Sequence, residues 1–233
     1  MKPSATAAPV ITIDGPSGTG KGTLCHQVAK ILAWHVLDSG AIYRAFAVSV
    51  LRDEGYAPHT IERLVTLAEG LPLRFHIDEN DHQSVYLDDQ EITDLIRTET
   101  VGQEASRLGS VPEVRTALLQ RQRDFAQSPG LVTDGRDMGT VVFPNADLKI
   151  YLYATAEERA KRRYLQLKAK DPDLSFDVIV EEFAIRDARD MERSCAPLVP
   201  AADAVKIDTT GLTVVQVLEN ILQLAAARGL YCP

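Results

Sequence analysis

The chain has no long hydrophobic run, no excess of positive charge and no paired cysteine framework, and each absence removes a class of protein. Its apolar stretches are too short to span a bilayer, so no membrane partner is expected. The formal net charge is −8, whereas binding to a nucleic-acid backbone or an anionic membrane calls for a positive footprint. A small anion is a different matter, because a local cluster of arginines overrides the global field. Cys25, Cys195 and Cys232 are scattered without metal-ligand spacing, and an odd count makes a poor disulfide framework. They read as reduced thiols in a cytoplasmic protein. His26 and His35 read as helix-surface or packing residues, not ligands. The opening MKPSATAAP reads as a loose tail without the apolar run of a secretory signal. There is no internal repeat or low-complexity tract, and nothing in the pattern demands more than a monomer.

What is present is an ordinary core-forming composition, 45% hydrophobic and 25% charged over 233 residues. That length fits one α/β domain with an insert or two small domains. The β-branched run Val10-Ile11-Thr12-Ile13-Asp14 reads as a buried strand, followed by a glycine-rich turn and a helix over residues 20–33. Residues 35–38 read as a strand, and residues 41–52 and 61–71 as helices. The period then switches to alternation at Leu73-Arg74-Phe75-His76-Ile77. Turn chemistry at Glu79-Asn80-Asp81, a strand at Val85-Tyr86-Leu87 and a second turn at Asp88-Asp89 follow, before Glu91-Ile92 resumes. This predicts a small antiparallel meander inserted into an α/β chain. Residues 93–108 and 112–127 read as helices, and 131–134 and 148–153 as strands. Thr155 and Glu158 carry a capping-box signature that opens a basic helix. A loop at 168–174, a charged helix at 175–193 and a strand at 205–208 follow, and Thr213 with Gln216 repeats the signature before the last helix. Strands alternating with helices predict a parallel sheet with helices on both faces.

The strongest local signal is Gly15, Pro16, Ser17, Gly18, Thr19, Gly20, Lys21, Gly22 and Thr23, a G-x-x-x-x-G-K loop directly after a strand and opening a helix. Glycines let the backbone turn tightly and aim several N–H donors at one phosphate. The helix N-terminus adds a favourable dipole. Lys21 adds a mobile cation that follows charge during phosphoryl transfer. The hydroxyl that ordinarily follows the lysine is replaced by Gly22, so Thr23 and Thr19 are both candidates to face a metal ion. Set against this is a glycine-rich turn with no ligand.

A protein that joins two phosphorylated molecules must gather arginines, whose planar fork matches phosphate geometry. Ser39 and Arg44 lie at the start of the second helix, and Asp134-Gly135-Arg136-Asp137 ends a core strand, where ligands gather in open α/β sheets. Arg159, Arg162 and Arg163 share one helical face by spacing, as do Arg186, Arg189 and Arg193 on the next helix. The bland reading of such faces is solvated arginine–glutamate mixtures. Asp187 and Asp190 are placed either to hold neighbouring arginines or to contact ribose hydroxyls.

These motifs together resemble the bacterial cytidylate kinases, along about residues 10–226. The stretches that carry the resemblance are GPSGTGKGTL (15–24), LDSGAIYRA (37–45), TDGRDMGTVVFP (133–144), EERAKRR (157–163), RDARDMER (186–193) and APLVPAADA (196–204). It implies a P-loop, adenylate-kinase-like core over residues 10–233 after a tail at 1–9. Within it, residues 38–127 would form a monophosphate-binding part with an antiparallel insert at 71–92, and residues 155–193 lid helices. G-K-G-[ST] is a common form of the loop in that kinase group. The implied substrates are ATP, with Mg²⁺ at Thr23, and CMP or dCMP. By motif, Ser39, Arg44, Arg136, Arg186 and Arg193 would hold the acceptor phosphate or ribose, with Asp190 on a ribose hydroxyl. Ser106, Arg115 and Asp137 would read cytosine, Asp134 would line the acceptor site, and the 196–204 loop would lie near adenine. Lys21, Arg136, Arg159, Arg163 and Arg186 would stabilise the transferring group. Cytosine offers an amine donor with N3 and O2 acceptors, which suits an aspartate beside arginine and serine donors. Alternatives that keep the fold are UMP, AMP, dTMP or a small hydroxyl acceptor. A nucleotide-sensing module without turnover is the alternative from another class.

Overall fold

A computed structural model describes residues 8–53, 60–77, 83–168 and 175–232. In chain order its elements are β1 (Val10–Asp14), α1 (Lys21–Leu32), β2 (His35–Asp38), α2 (Ser39–Arg52), α3 (Ile61–Glu69), β3 (Leu73–Ile77), β4 (Gln83–Leu87) and β5 (Gln90–Glu91). They continue as α4 (Glu99–Leu108), α5 (Pro112–Arg123), β6 (Leu131–Gly135), β7 (Leu148–Tyr153), α6 (Ala156–Lys168), α7 (Phe176–Glu192), β8 (Val205–Asp208) and α8 (Val214–Ala227). The chain forms two compact units, Met1–Leu37 with Arg123–Pro233, and Asp38–Gln122.

The first unit is built on a five-stranded sheet in the order β2-β6-β1-β7-β8. β1 pairs in parallel with β6 and β7, and β7 with β8. Every residue of β1 and β6 is buried, as central parallel strands require. Ile11, Ile13, Val132, Ile150 and Leu152 pack on one face against Leu24 and Val28 of α1 and Val217 and Ile221 of α8. Each such side chain contributes about 1.5–3 kcal/mol by leaving water, so this layer anchors the sheet. Residues of the other parity, Thr12, Thr133 and Lys149, are buried as well. There a π-helical turn, Met138–Val142, closes over β1. It approaches so tightly that a Cβ on Gly139 would lie 2.9 Å from Thr12 Oγ1. The register that matters for function pairs Asp14 with Gly135. It brings the loop after β1 and the chain after β6 out side by side at the carboxyl edge of the sheet, where open α/β sheets bind ligands.

The second unit contains α2 to α5 and an antiparallel three-stranded sheet in the order β3-β4-β5. Its core includes Ile42, Phe46, Leu71, Leu87, Ile92, Leu108 and Leu118. The turn predicted at Asp88-Asp89 is present, with φ of 49° and 61°, the left-handed pair that a two-residue hairpin needs and that aspartate tolerates. The turn predicted at residues 79–81 and most of the loop at 168–174 fall outside the described residues.

Three local expectations need correction. α2 starts two residues before residue 41, at Ser39, because the Asp38 carboxylate accepts the Ala41 N–H at 3.0 Å and caps it there. The helix predicted over 93–108 is interrupted at Thr98, whose Oγ1 donates to Leu95 O at 2.8 Å and closes a short turn at Leu95–Arg97 before α4 begins. The capping box at Thr155 forms by half. Glu158 N donates to Thr155 Oγ1 at 3.3 Å, but Thr155 N donates to Thr210 Oγ1 at 3.2 Å and the Glu158 carboxylate takes Arg162 at 3.0 Å. The box at Thr213 and Gln216 is complete.

Candidate active site

The loop after β1 is shaped by close approach. Gly15 has φ of 147°, and a Cβ on it would sit 2.1 Å from Leu152 O of β7. Gly18, with φ of 79°, faces Arg159 Cβ and the Phe183 ring, each 2.9 Å from where a Cβ would stand. Side chains are therefore excluded at both positions. α1 then begins at Lys21 with Gly20 as its cap, no capping side chain and no acidic residue in its first turn. Its first N–H groups and the positive end of its dipole are left for an anion.

Of the cations around this loop Lys21 and Arg159 are buried, Arg136 is half-buried, and all three are hydrogen-bonded within the protein. Lys21 Nζ donates to Pro16 O at 2.7 Å, and Thr19 Oγ1 donates to the same carbonyl at 3.0 Å. Burial, reinforced by Arg136 and Arg186, pushes the Lys21 ammonium down to about 7, with Asp134 and Asp14 pulling the other way. Arg136, carried just past β6, donates from Nε to Asp190 Oδ2 at 2.7 Å and from Nη2 to Ser17 Oγ at 2.6 Å. Burial opposes its charge, but Asp190, Asp134 and Asp187 more than offset that, and its pKa is raised. Burial likewise works against the Asp190 carboxylate. Arg136, Arg186 and Arg193 overcome it and hold the group below the usual range. Arg159 of α6 donates to Ser17 O at 3.0 Å and to Asp187 Oδ2 at 2.5 Å, and lies over the Phe183 ring of α7. Arg193 approaches Asp137 at 4.0 Å and its Nε donates to Ala196 O. Ser17 is thus gripped by two arginines, one on its hydroxyl and one on its carbonyl.

The predicted helical faces divide. Arg159 and Arg186 join the cluster around Lys21 and Asp190. Arg162 instead fastens α6 to the chain after β8, through Thr209 Oγ1 at 3.1 Å and Thr209 O at 2.5 Å. Arg163 is half-buried and has no hydrogen-bond or ion-pair partner among the described residues. Asp187 and Asp190 hold Arg159 and Arg136.

The second unit holds its candidates differently. Ser39 Oγ donates to Gln122 Oε1 at 2.9 Å in a buried pair. Arg44 donates to Ile96 O at 2.6 Å, and Arg115 to Gly109 O at 3.1 Å, with its guanidinium over the Tyr43 ring at 5.5 Å. Ser106 Oγ is buried and has no hydrogen-bond partner among the described residues.

Asp14 was missed by motif reading. It ends β1 directly before the loop, is buried, and accepts the Met138 and Gly139 N–H groups at 2.9 and 2.8 Å. Burial, with Asp137 adding to it, raises its carboxyl to about 6 despite those bonds. The available signal was a charged residue closing an otherwise apolar central strand.

A central parallel sheet, a strand–glycine loop–helix cradle with an uncapped N-terminus, and lysine and arginine groups converging on that loop define the class: a P-loop phosphotransferase. A family model described as cytidylate kinase matches residues 11–227. The chain is 52% identical over 224 residues to the cytidylate kinase of Pseudomonas fluorescens (strain Pf0-1), covering 96% of this chain and 97% of that one. It is also 52% identical over 222 residues to the cytidylate kinase of Marinomonas sp. (strain MWYL1), covering 95% of this chain and 97% of its relative. The chain belongs to the cytidylate kinase family. A solved structure of an uncharacterized protein from Eubacterium ventriosum shares the fold, with a TM-score of 0.51 at 10% identity over 94% of this chain and 98% of the other.

Proposed function

We infer that this protein transfers the γ-phosphate of ATP to CMP, with dCMP as a further acceptor, giving CDP or dCDP and ADP. The observation that carries this is the uncapped cradle at α1 with Lys21, Arg136 and Arg159 around it, in a chain of the cytidylate kinase family. An oxygen of the CMP phosphate, anionic near neutral pH, forms the new bond to the γ-phosphorus as the bond to the β–γ bridging oxygen breaks in line, and ADP leaves. No general base is required, so catalysis is positioning and charge neutralisation.

The roles of individual residues belong to the same proposal. The ATP phosphates lie along residues 15–23, and Lys21, Arg136, Arg159, Arg163 and Arg186 neutralise the transferring group. Lys21 and the two cluster arginines bond to loop carbonyls, the Ser17 hydroxyl and carboxylates, which keeps them beside the phosphate path. Magnesium takes oxygen ligands and retains several waters, needing few protein oxygens beside substrate phosphates. Thr23, exposed at the first turn of α1, fits that need, whereas Thr19 is buried and committed to Pro16 O. Bound magnesium neutralises charge on the β- and γ-phosphate oxygens. Ser39, Arg44, Asp134, Arg136, Arg186, Asp190 and Arg193 hold the acceptor phosphate and ribose, and Ser106, Arg115 and Asp137 read cytosine. UMP presents a carbonyl where CMP presents an amine, which leaves an acidic reader facing an acceptor.

Among the described residues no helix is long and apolar enough to cross a membrane. The protein is read as a cytoplasmic monomer that does not bind nucleic acid, in keeping with a net charge of −8 and with cysteines that form no disulfide among the described residues. The deciding experiment is ADP release with Mg-ATP and, in turn, CMP, dCMP, UMP, AMP and dTMP. Fastest turnover with CMP or dCMP is expected, and a preference for AMP contradicts the cytosine readers.

A further inference from the structure

We propose that Asp14 is a positioning residue for the acceptor side of the site, holding the turn that carries Arg136 and Asp137 against the end of β1. The proposal rests on the functional reading above. The Asp14 carboxylate uses both oxygens: Oδ1 accepts the Met138 N–H at 2.9 Å and Oδ2 the Gly139 N–H at 2.8 Å. These are the first two N–H groups of the π-helical turn Met138–Val142, which has no side-chain cap from Asp137 before it. Buried N–H groups at the start of a helical turn need a partner, and no nearer side chain supplies one.

The geometry leaves the turn no slack. Gly135 is fixed in the sheet opposite Asp14. A Cβ on Gly135 would meet Met138 Cγ at 2.8 Å, and one on Gly139 would meet Thr12 Oγ1 at 2.9 Å. Arg136 and Asp137 therefore sit between two anchored points only a few residues apart. From there Arg136 reaches Ser17 and Asp190, and Asp137 comes within 4.0 Å of Arg193. The charged groups around Asp14 are Lys21 from α1 and Asp137 from the turn itself. A carboxylate in this place is costly, being buried beside a second carboxylate, and a buried acid retained at such cost fits a positioning role better than a role in packing.

The test is Asp14→Asn, which keeps the shape but offers one acceptor and sets an N–H₂ donor against the second N–H. Steady-state kinetics with CMP and Mg-ATP varied separately are expected to show KM for CMP raised about tenfold and kcat lowered, with KM for ATP within about twofold of the wild type. Losses shared equally by ATP and CMP, losses confined to ATP, or unchanged kinetics each overturn the proposal. If Asp14→Asn fails to fold, Asp14→Glu replaces it, keeping the charge and moving the acceptors by one methylene, with the same split expected and the same outcomes contrary. The wild-type control separates the two levels. No CMP turnover in the wild type defeats the functional reading and this one with it, whereas normal wild-type turnover with equal losses in the variant defeats only the role of Asp14.

Discussion

The two units hold their arginines by different means. In the first, Arg136 and Arg159 lie against the carboxylates of Asp190 and Asp187, so cation and anion stabilise each other. In the second, Arg44 and Arg115 donate to main-chain carbonyls, and Ser39 is paired with a neutral amide. Removing either partner from the first arrangement leaves a charge stranded in a largely buried place. Under the proposed roles, the ion-paired arginines serve the transferring group and the acceptor phosphate, and the carbonyl-held ones serve the acceptor alone.

The largest effect is expected at Lys21. Lys21→Met should lower kcat by about a thousandfold or more, since a charge made for the transferring phosphoryl group is lost. Thermal unfolding should stay cooperative, because the substitution also removes a buried ammonium. Unchanged turnover in a coupled ADP assay would break the account of the first unit. Next comes Arg136→Met, which takes from the Asp190 carboxylate its hydrogen-bonded partner. It should cost about 3 kcal/mol in denaturant-derived stability, as removal of one partner from a buried pair does. An equivalent loss from Arg44→Met in the second unit would erase the contrast between them.

A pH series sharpens the same comparison. The Asp14 carboxyl is raised in the folded state from 3.8 to about 6, so its stabilising contribution is full below the ordinary value and lost as pH rises through the folded one. Linkage sets that loss at up to about 3 kcal/mol. Unfolding free energy, measured from about pH 8 down to about pH 5, should therefore rise more steeply for the wild type than for Asp14→Asn. Asp190 has the opposite sign. Its folded value is depressed, so its contribution is present above the ordinary carboxylate range and disappears only as pH falls through the folded value. The smallest effect belongs to Ser106→Ala. The buried Ser106 Oγ has no hydrogen-bond partner among the described residues, so stability should change by less than about 0.5 kcal/mol. KM for CMP should nonetheless rise about fivefold. A stability loss with no change in KM would remove Ser106 from the cytosine readers.

What was legible in the sequence was local or periodic. The glycine loop announces itself because its residue types and its strand–helix context lie within one short segment, and the meander at β3 to β5 shows as a change of period. The cluster at Arg136, Arg186 and Asp190 was visible as motifs, though not as bonds, since the partners lie on separate elements. Asp14 escaped notice because its partners, Met138 and Gly139, are 124 and 125 positions away in sequence. Arg162 had the correct spacing for the site face, yet the end of β8 places Thr209 within its reach and diverts it. The break at Thr98 depends on one hydroxyl closing a turn, which a propensity pattern does not separate from continued helix.

The central claim is that Lys21, bonded to the Pro16 carbonyl and with its ammonium weakened by burial beside Arg136 and Arg186, serves ATP as a charged phosphate ligand. Calorimetric titration with a non-hydrolysable Mg-ATP analogue at about pH 8, in buffers of different ionisation enthalpy, reads this directly. Net proton uptake on nucleotide binding is expected in the wild type, and less of it in Lys21→Met. Tight binding with no proton uptake in the wild type would contradict it.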